Sequence, residues 1–206
     1  MNITEFLSDV RLATLRGTSL DAQAARAFVN AVRFIEQNYD LPYMRREVTE
    51  SCTSAFVLTG VNAATLKTVQ ELRWFDGDGV KNRIHQIDPD QLVSRTLDDG
   101  ARGYEFFTAR DGGGNVTTTL QFDAAFAEAT DVTLLGYFYS VVDLTAPSEQ
   151  DNWLINNAHE LVLARTMIGL APIMRDPIVL QMYQQSWQEN VGVLIGAASS
   201  LEQGSR

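Results

Sequence analysis

The apolar residues of this chain change period twice, and that change restricts the possible folds more than any other feature of the sequence. In the first fifty residues they recur at helical spacing. Ile3, Phe6, Leu7, Val10 and Leu15 form one such run, and Gly17 is placed to stop it in a left-handed conformation. Ser19 is then a suitable N-cap for a second helix, with Asp21 in its first turn favourable to the helix dipole. Leu20, Ala24, Phe28, Val32 and Ile35 step by four, four, four and three, which makes a single apolar stripe. Pro42 marks its end.

From about Val48 the spacing becomes that of strands. Ser51 to Val57, Thr68 to Trp74, Arg83 to Ile87, Tyr104 to Arg110, Val116 to Phe122 and Val132 to Val142 are rich in Val, Thr, Phe and Tyr. Turn signals separate several of them: Asp76-Gly77-Asp78-Gly79, Asp98-Asp99-Gly100 and Asp111-Gly112-Gly113-Gly114. The last has the composition of a hairpin loop, and a short helix is expected at Asp90 to Ser94. After Ala146-Pro147 the helical period returns. Trp153 and Leu154 lead into a run ending at Pro172, and Asp176-Pro177 restarts a helix with Asp as N-cap and Pro at the first helical position. Leu180, Tyr183, Trp187, Val191 and Leu194 form its stripe.

The order is therefore α-α, β insert, α-α, an α+β fold. Two N-terminal and two C-terminal helices are expected to bury their stripes against each other as a helical platform carrying an inserted, mainly antiparallel β domain. The expected divisions are 1–47 and 151–196 for the platform, 48–150 for the insert and 197–206 for a flexible tail.

Charge narrows the partners. Sixteen Lys and Arg against 26 Asp and Glu give −10 over 206 residues. A net-acidic domain lacks the clustered cations that grip nucleic-acid phosphates or anionic membrane surfaces. Divided at the expected boundaries, the N-terminal helices are neutral, the insert carries −8 and the C-terminal part −2. The single cysteine, Cys52, cannot form an internal disulfide and suits a reducing compartment. The N-terminus lacks the pattern of a secretory signal, and no apolar run reaches the ~20 residues of a spanning helix. A soluble chain with no membrane partner is expected.

No constellation of catalytic residues stands out. Asp76 and Asp78 lack the ligand spacing of a calcium loop and read as a β turn. The Gly112 to Gly114 run leads into a strand and lacks the Lys-Ser/Thr of a phosphate loop. Only His85 and His159 are present, without the spacing of a zinc site, and no Gly-x-Ser-x-Gly elbow occurs. Cys52, between Ser51 and Thr53 in an expected strand, reads as a small buried side chain. No cofactor, metal or catalytic residue is expected. Trp153 and Trp187 read as core or chain anchors, with an inter-subunit contact as the alternative.

The C-terminal half carries a likeness. Tyr137-Phe138-Tyr139, Leu144-Thr145, Asp151-Asn152-Trp153-Leu154-Ile155-Asn156-Asn157 and His159-Glu160-Leu161-Val162-Leu163-Ala164 follow one another. Arg175-Asp176-Pro177 then opens a final long helix with Tyr183 and Trp187. This pattern resembles the tailed-bacteriophage head-to-tail adaptor (connector) family. Over about residues 50–195 the element order is similar too.

The resemblance implies a structural virion protein, not an enzyme, at the head-tail junction and assembled in the host cytoplasm. It implies a homo-oligomeric ring of about twelve copies docked on the portal protein, extending the DNA channel and presenting a surface to the tail or nozzle protein. Double-stranded DNA would pass without specific binding, since acidic walls repel phosphates. Trp153 and Trp187, with Leu201, Gln203 and Arg206 of the tail, become candidate interface residues. Asp76, Asp78, Asp98, Asp99 and Asp111 become candidate channel-facing or tail-facing acids. The rival expectations are a small hydrolase using Asp76, Asp78 or His85, and a head-completion or tail protein of different stoichiometry.

Overall fold

A computed structural model of the chain describes residues 1–86, 102–110, 115–123, 125–148, 150 and 152–203, with side chains described up to residue 194 except that of Arg102. Two compact units emerge: residues 1–43 together with 141–206, and residues 44–140. The fold is α+β, with helices from both chain ends and a seven-stranded, mostly antiparallel sheet inserted between them.

In the helical unit, α1 (Ile3–Thr14) starts on a capping box in which Asn2 and Glu5 satisfy each other's backbone amides. It buries Ile3, Phe6 and Val10. Its stop differs from expectation. Leu15, not Gly17, takes the left-handed conformation, with φ 54°, and its amide bonds back to Arg11 and Leu12. Gly17, φ +56°, instead opens a 3-10 turn to Leu20, and α2 (Asp21–Asn38) follows it directly. Ser19 is therefore no N-cap; its hydroxyl donates to the Arg16 carbonyl. The stripe of α2 is buried as its spacing requires, from Ala24 through Phe28 and Val32 to Ile35.

Helix α4 (Trp153–Met174) is the centre of this unit, lying against α1, α2 and α5 (Pro177–Gln203). Its amphipathicity is weak because so much of its circumference is buried. Asn152 caps it by accepting from the Leu154 and Ile155 amides, and the helix kinks at Ala158, whose φ/ψ is −145°/41°. Pro172 was the expected end. It sits inside the last turn, costing one helical hydrogen bond, and Arg175 in the left-handed region makes the stop two residues later. The Asp176-Pro177 restart forms as expected, with Asp176 Oδ1 accepting from the amides of Ile178 and Val179. Helix α5 then continues through Ala197 to Gln203, within the segment expected as a flexible tail.

The second unit holds β1 (Arg45–Cys52), β2 (Ala55–Thr59), α3 (Gly60–Thr65), β3 (Leu66–Phe75), β4 (Lys81–Gln86), β5 (Arg102–Arg110), β6 (Val116–Phe122) and β7 (Thr130–Phe138). The sheet order is β1-β7-β3-β4-β5-β6-β2, and all pairings are antiparallel except β4 with β5. Its two end strands are joined by Thr53 and Ser54 alone, so the sheet curls almost into a barrel. The strand expected from Ser51 to Val57 is thus two strands. The Ser54 carbonyl accepts from the Phe122 amide, continuing the β2–β6 register, while the Thr53 carbonyl turns to accept from the Phe126 amide. Helix α3, which no apolar spacing in the sequence announces, begins at Gly60 with φ +57°.

Alternate residues fill the interior: Phe56 and Leu58 from β2, Leu120 and Phe122 from β6, Val132, Leu134 and Phe138 from β7. Strands β5 and β6 pair from Tyr104 with Phe122 to Arg110 with Val116, which flanks the expected Asp111 to Gly114 hairpin. That loop, the expected helix at Asp90 to Ser94 and the Asp98-Asp99-Gly100 turn lie outside the described residues.

Candidate assembly surfaces

Asn152 places Trp153 at the first turn of α4, where the indole is half-buried and stacks on Tyr43 with ring centroids 4.8 Å apart and 25° between planes. The Tyr43 hydroxyl donates to Glu36 Oε1 at 2.7 Å, and Glu36 is 1% exposed. Burial, with the Glu36 charge adding to it, pushes the Tyr43 hydroxyl far above the ordinary range of a phenol, so it stays a donor. Trp187 is also half-buried. It meets Phe34 edge-on at 5.8 Å, and the Arg165 guanidinium lies 3.7 Å above the Phe34 ring and 5.9 Å from Trp187. Each tryptophan therefore ties separate segments of the helical unit together while leaving part of its surface open.

Helix α5 has an unusual composition. Across its 27 residues only Glu189 and Glu202 are charged. Exposed Ile178, Met182 and Val193 share its outward side with Gln185 and Glu189, which hydrogen-bond each other at 2.9 Å. Leu201 and Gln203 fall in its last turn, where side chains are not described, and Arg206 lies outside the described residues.

The acidic candidates divide. Asp76 is committed to the β3–β4 turn: its Oδ1 accepts from the amides of Asp78 and Val80, and its Oδ2 from Asn82. The Val80 amide, joined by Asn82 and the Asp78 amide, holds its carboxyl below the usual range. Asp78 is exposed at the turn tip beside Gly79, which has φ +76°. Asp98, Asp99 and Asp111 lie outside the described residues. Another acid, Glu71, which no sequence motif marks, sits 15% exposed among Lys81 at 2.6 Å, Arg83 at 2.9 Å and Arg73 at 3.9 Å. Its burial favours the neutral form, yet these three cations prevail and hold the carboxyl below its usual range.

His85 is exposed on β4 and lines a cleft of about 430 Å³ with Arg45, Gln70 and Tyr104; neither Asp76 nor Asp78 lines that cleft. His159 lies elsewhere, in the helical unit, with Nε2 3.0 Å from Asp9 Oδ2 and Nδ1 3.5 Å from Glu160. Cys52 is buried, and burial with the Glu50 and Asp131 charges pushes its thiol up to about 11, away from nucleophile chemistry at neutral pH. Among the described residues no three His, Cys, Asp or Glu side chains converge to hold a metal ion, and no helix is long and apolar enough to cross a membrane.

The distribution of charge changes once the two units are known. The sheet unit, residues 44–140, carries 14 acids and nine bases; the helical unit carries 12 acids and seven bases. Each is −5. Arg45, Arg46 and Glu47 count with the sheet unit and Asp143 and Glu149 with the helical unit, which changes the −8 at the expected boundaries to −5.

Compared with protein-family models and with curated proteins, the chain matches none.

Proposed function

We propose that this chain is a structural ring subunit, a head-to-tail adaptor of a tailed bacteriophage. It docks as about twelve copies on the portal protein, extends the DNA channel and presents the attachment surface for the tail or nozzle protein at the head-tail junction of the virion. The supporting observation is the sequence pattern running from the tyrosine-rich strand through Asn152-Trp153-Leu154 into two long helices. The arrangement of the elements agrees with it: helices from both chain ends share one unit, and the sheet is a single insertion between them. The poverty of charge along α5 suits a helix made to be covered. Net charge of −5 on each unit suits a wall past which DNA slides without specific binding.

The experiment is to mix the purified full chain with portal rings and image the product. A ring of added density beneath an intact portal is expected. An unchanged portal under conditions where the chain is folded would overturn the proposal. Particle mass separates a twelvefold ring from the alternative of a head-completion or tail protein with another copy number.

A further inference from the structure

Between α2 and α4 runs a groove of about 390 Å³ with a floor of small residues. At Gly169 an added Cβ would meet the Ala27 Cβ at 3.5 Å, so the two helices approach closely there. Arg26 stands exposed on one wall and Arg165 half-buried on the other. Among the described residues neither pairs with a carboxylate, in a chain where acids outnumber bases by ten. Arg165 is partly desolvated, and its guanidinium rests on the Phe34 ring at 3.7 Å rather than on an anion.

Helix α5 of the same unit supplies the complement. At 100° per residue, Ile178, Met182, Glu189 and Val193 fall within an arc of ~60°. Ile178 is 78% and Val193 70% exposed, and Glu189 is the one charge among these four residues. The face is thus apolar with a single anion, and the groove is small-floored with two cations. The two patches are different surfaces of one unit, so their contact is heterologous, the kind that closes into a ring when the rotation between copies allows.

Resting on the ring reading above, we propose that the outward face of α5 in one copy seats in the α2–α4 groove of a second copy, with Glu189 meeting Arg26 and Arg165. The partner is thus another molecule of this chain, recognised by charge and by the fit of Ile178 and Val193 beside a floor of Ala and Gly. Truncating one partner of such a pair leaves the other charge covered and uncompensated, so single reversals weaken the contact more than surface charges do elsewhere.

The test uses the full chain as Glu189→Arg, as Arg26→Glu and as both together. Both positions are exposed, so folding is preserved, which circular dichroism and the melting curve verify. Self-association of the chain alone is followed by sedimentation velocity, and ring formation on portal by imaging. Each single variant is expected to shift the self-association midpoint at least tenfold to higher concentration, and the double variant to recover most of it. Wild-type-like association of either folded single variant, or no recovery in the double, overturns the inference. If rings form on portal equally in all variants, this contact is wrong while the adaptor reading stands. If the chain self-associates with the expected dependence but ignores the portal, the contact stands and the adaptor reading fails. A wild-type chain that associates neither alone nor on the portal sinks both.

Discussion

Leu15 carries its side chain into solvent, 90% exposed, with φ at +54°. The left-handed conformation costs an L-residue roughly 1–2 kcal/mol, and no burial of this leucine offsets it. Glycine adopts that conformation freely but loses about 0.5–1 kcal/mol more entropy on folding. Leu15→Gly should therefore stabilise the monomer by up to about 1 kcal/mol, read as a higher urea midpoint; a lower midpoint contradicts the strain argument. Gly136 is the opposite case. It lies in β7 beside the irregular pairing of β3, and a Cβ there would come 2.7 Å from the Thr68 carbonyl oxygen. Backbone must shift to admit it, so Gly136→Ala should cost about 1–3 kcal/mol in the same measurement. Tyr43→Phe removes a hydrogen-bond donor from the buried Glu36 carboxylate, with an expected loss of about 1–3 kcal/mol.

Single elements were legible where a local rule suffices. Asp176-Pro177 forms the restart its residue types demand, and Asp176→Ala should cost about 1 kcal/mol by freeing two amides at the start of α5. Strands β3 to β7 fall within a few residues of their Val-, Thr- and aromatic-rich runs. The misses required partners distant in the chain. Nothing local splits Ser51 to Val57, because the amides that bond Thr53 and Ser54 at the split belong to Phe126 and Phe122. Nothing local stops α1 at Leu15 when Gly17 is two residues away, and here a better candidate lost to a worse one. The groove was invisible for the same reason: Arg26 and Arg165 are ordinary surface arginines until α2 lies along α4. The lone Arg165 in the otherwise uncharged run from Leu161 to Met174 was its one sequence signal. Glu71 likewise acquires meaning only from pairing, when β4 brings Lys81 and Arg83 beside it. Its carboxyl titrates below its ordinary value of 4.5, so it is more acidic folded than unfolded. Its contribution to stability is complete above that ordinary value and is lost as pH falls through the depressed folded one. Glu71→Gln should remove this part of the acid limb, leaving stability less steep below pH 4.5 than in the wild type.

At the scale of the whole molecule, assembly must overcome charge. Every copy carries −10, divided as −5 and −5, so no arrangement of copies in a ring lets one unit neutralise its neighbour's net charge. Long-range repulsion of this kind is weakened by salt, since the screening length falls from ~30 Å at 0.01 M to ~8 Å at 0.15 M. A Glu189 contact with Arg26 and Arg165 acts at a few ångströms under partial cover and is screened much less over that range. The two effects separate by distance. Self-association should strengthen as salt rises from 0.01 M to about 0.15 M, where net repulsion is removed first, and level off or decline near 1 M, where the screening length of ~3 Å reaches the contact itself. Glu189→Arg changes the chain from −10 to −8 and so reduces the repulsion while breaking the contact. If net charge alone governed assembly, that variant would associate better than the wild type at low salt. If the local pair governs it, the variant associates worse from 0.01 M to about 0.15 M, and sedimentation across a salt series distinguishes the two outcomes.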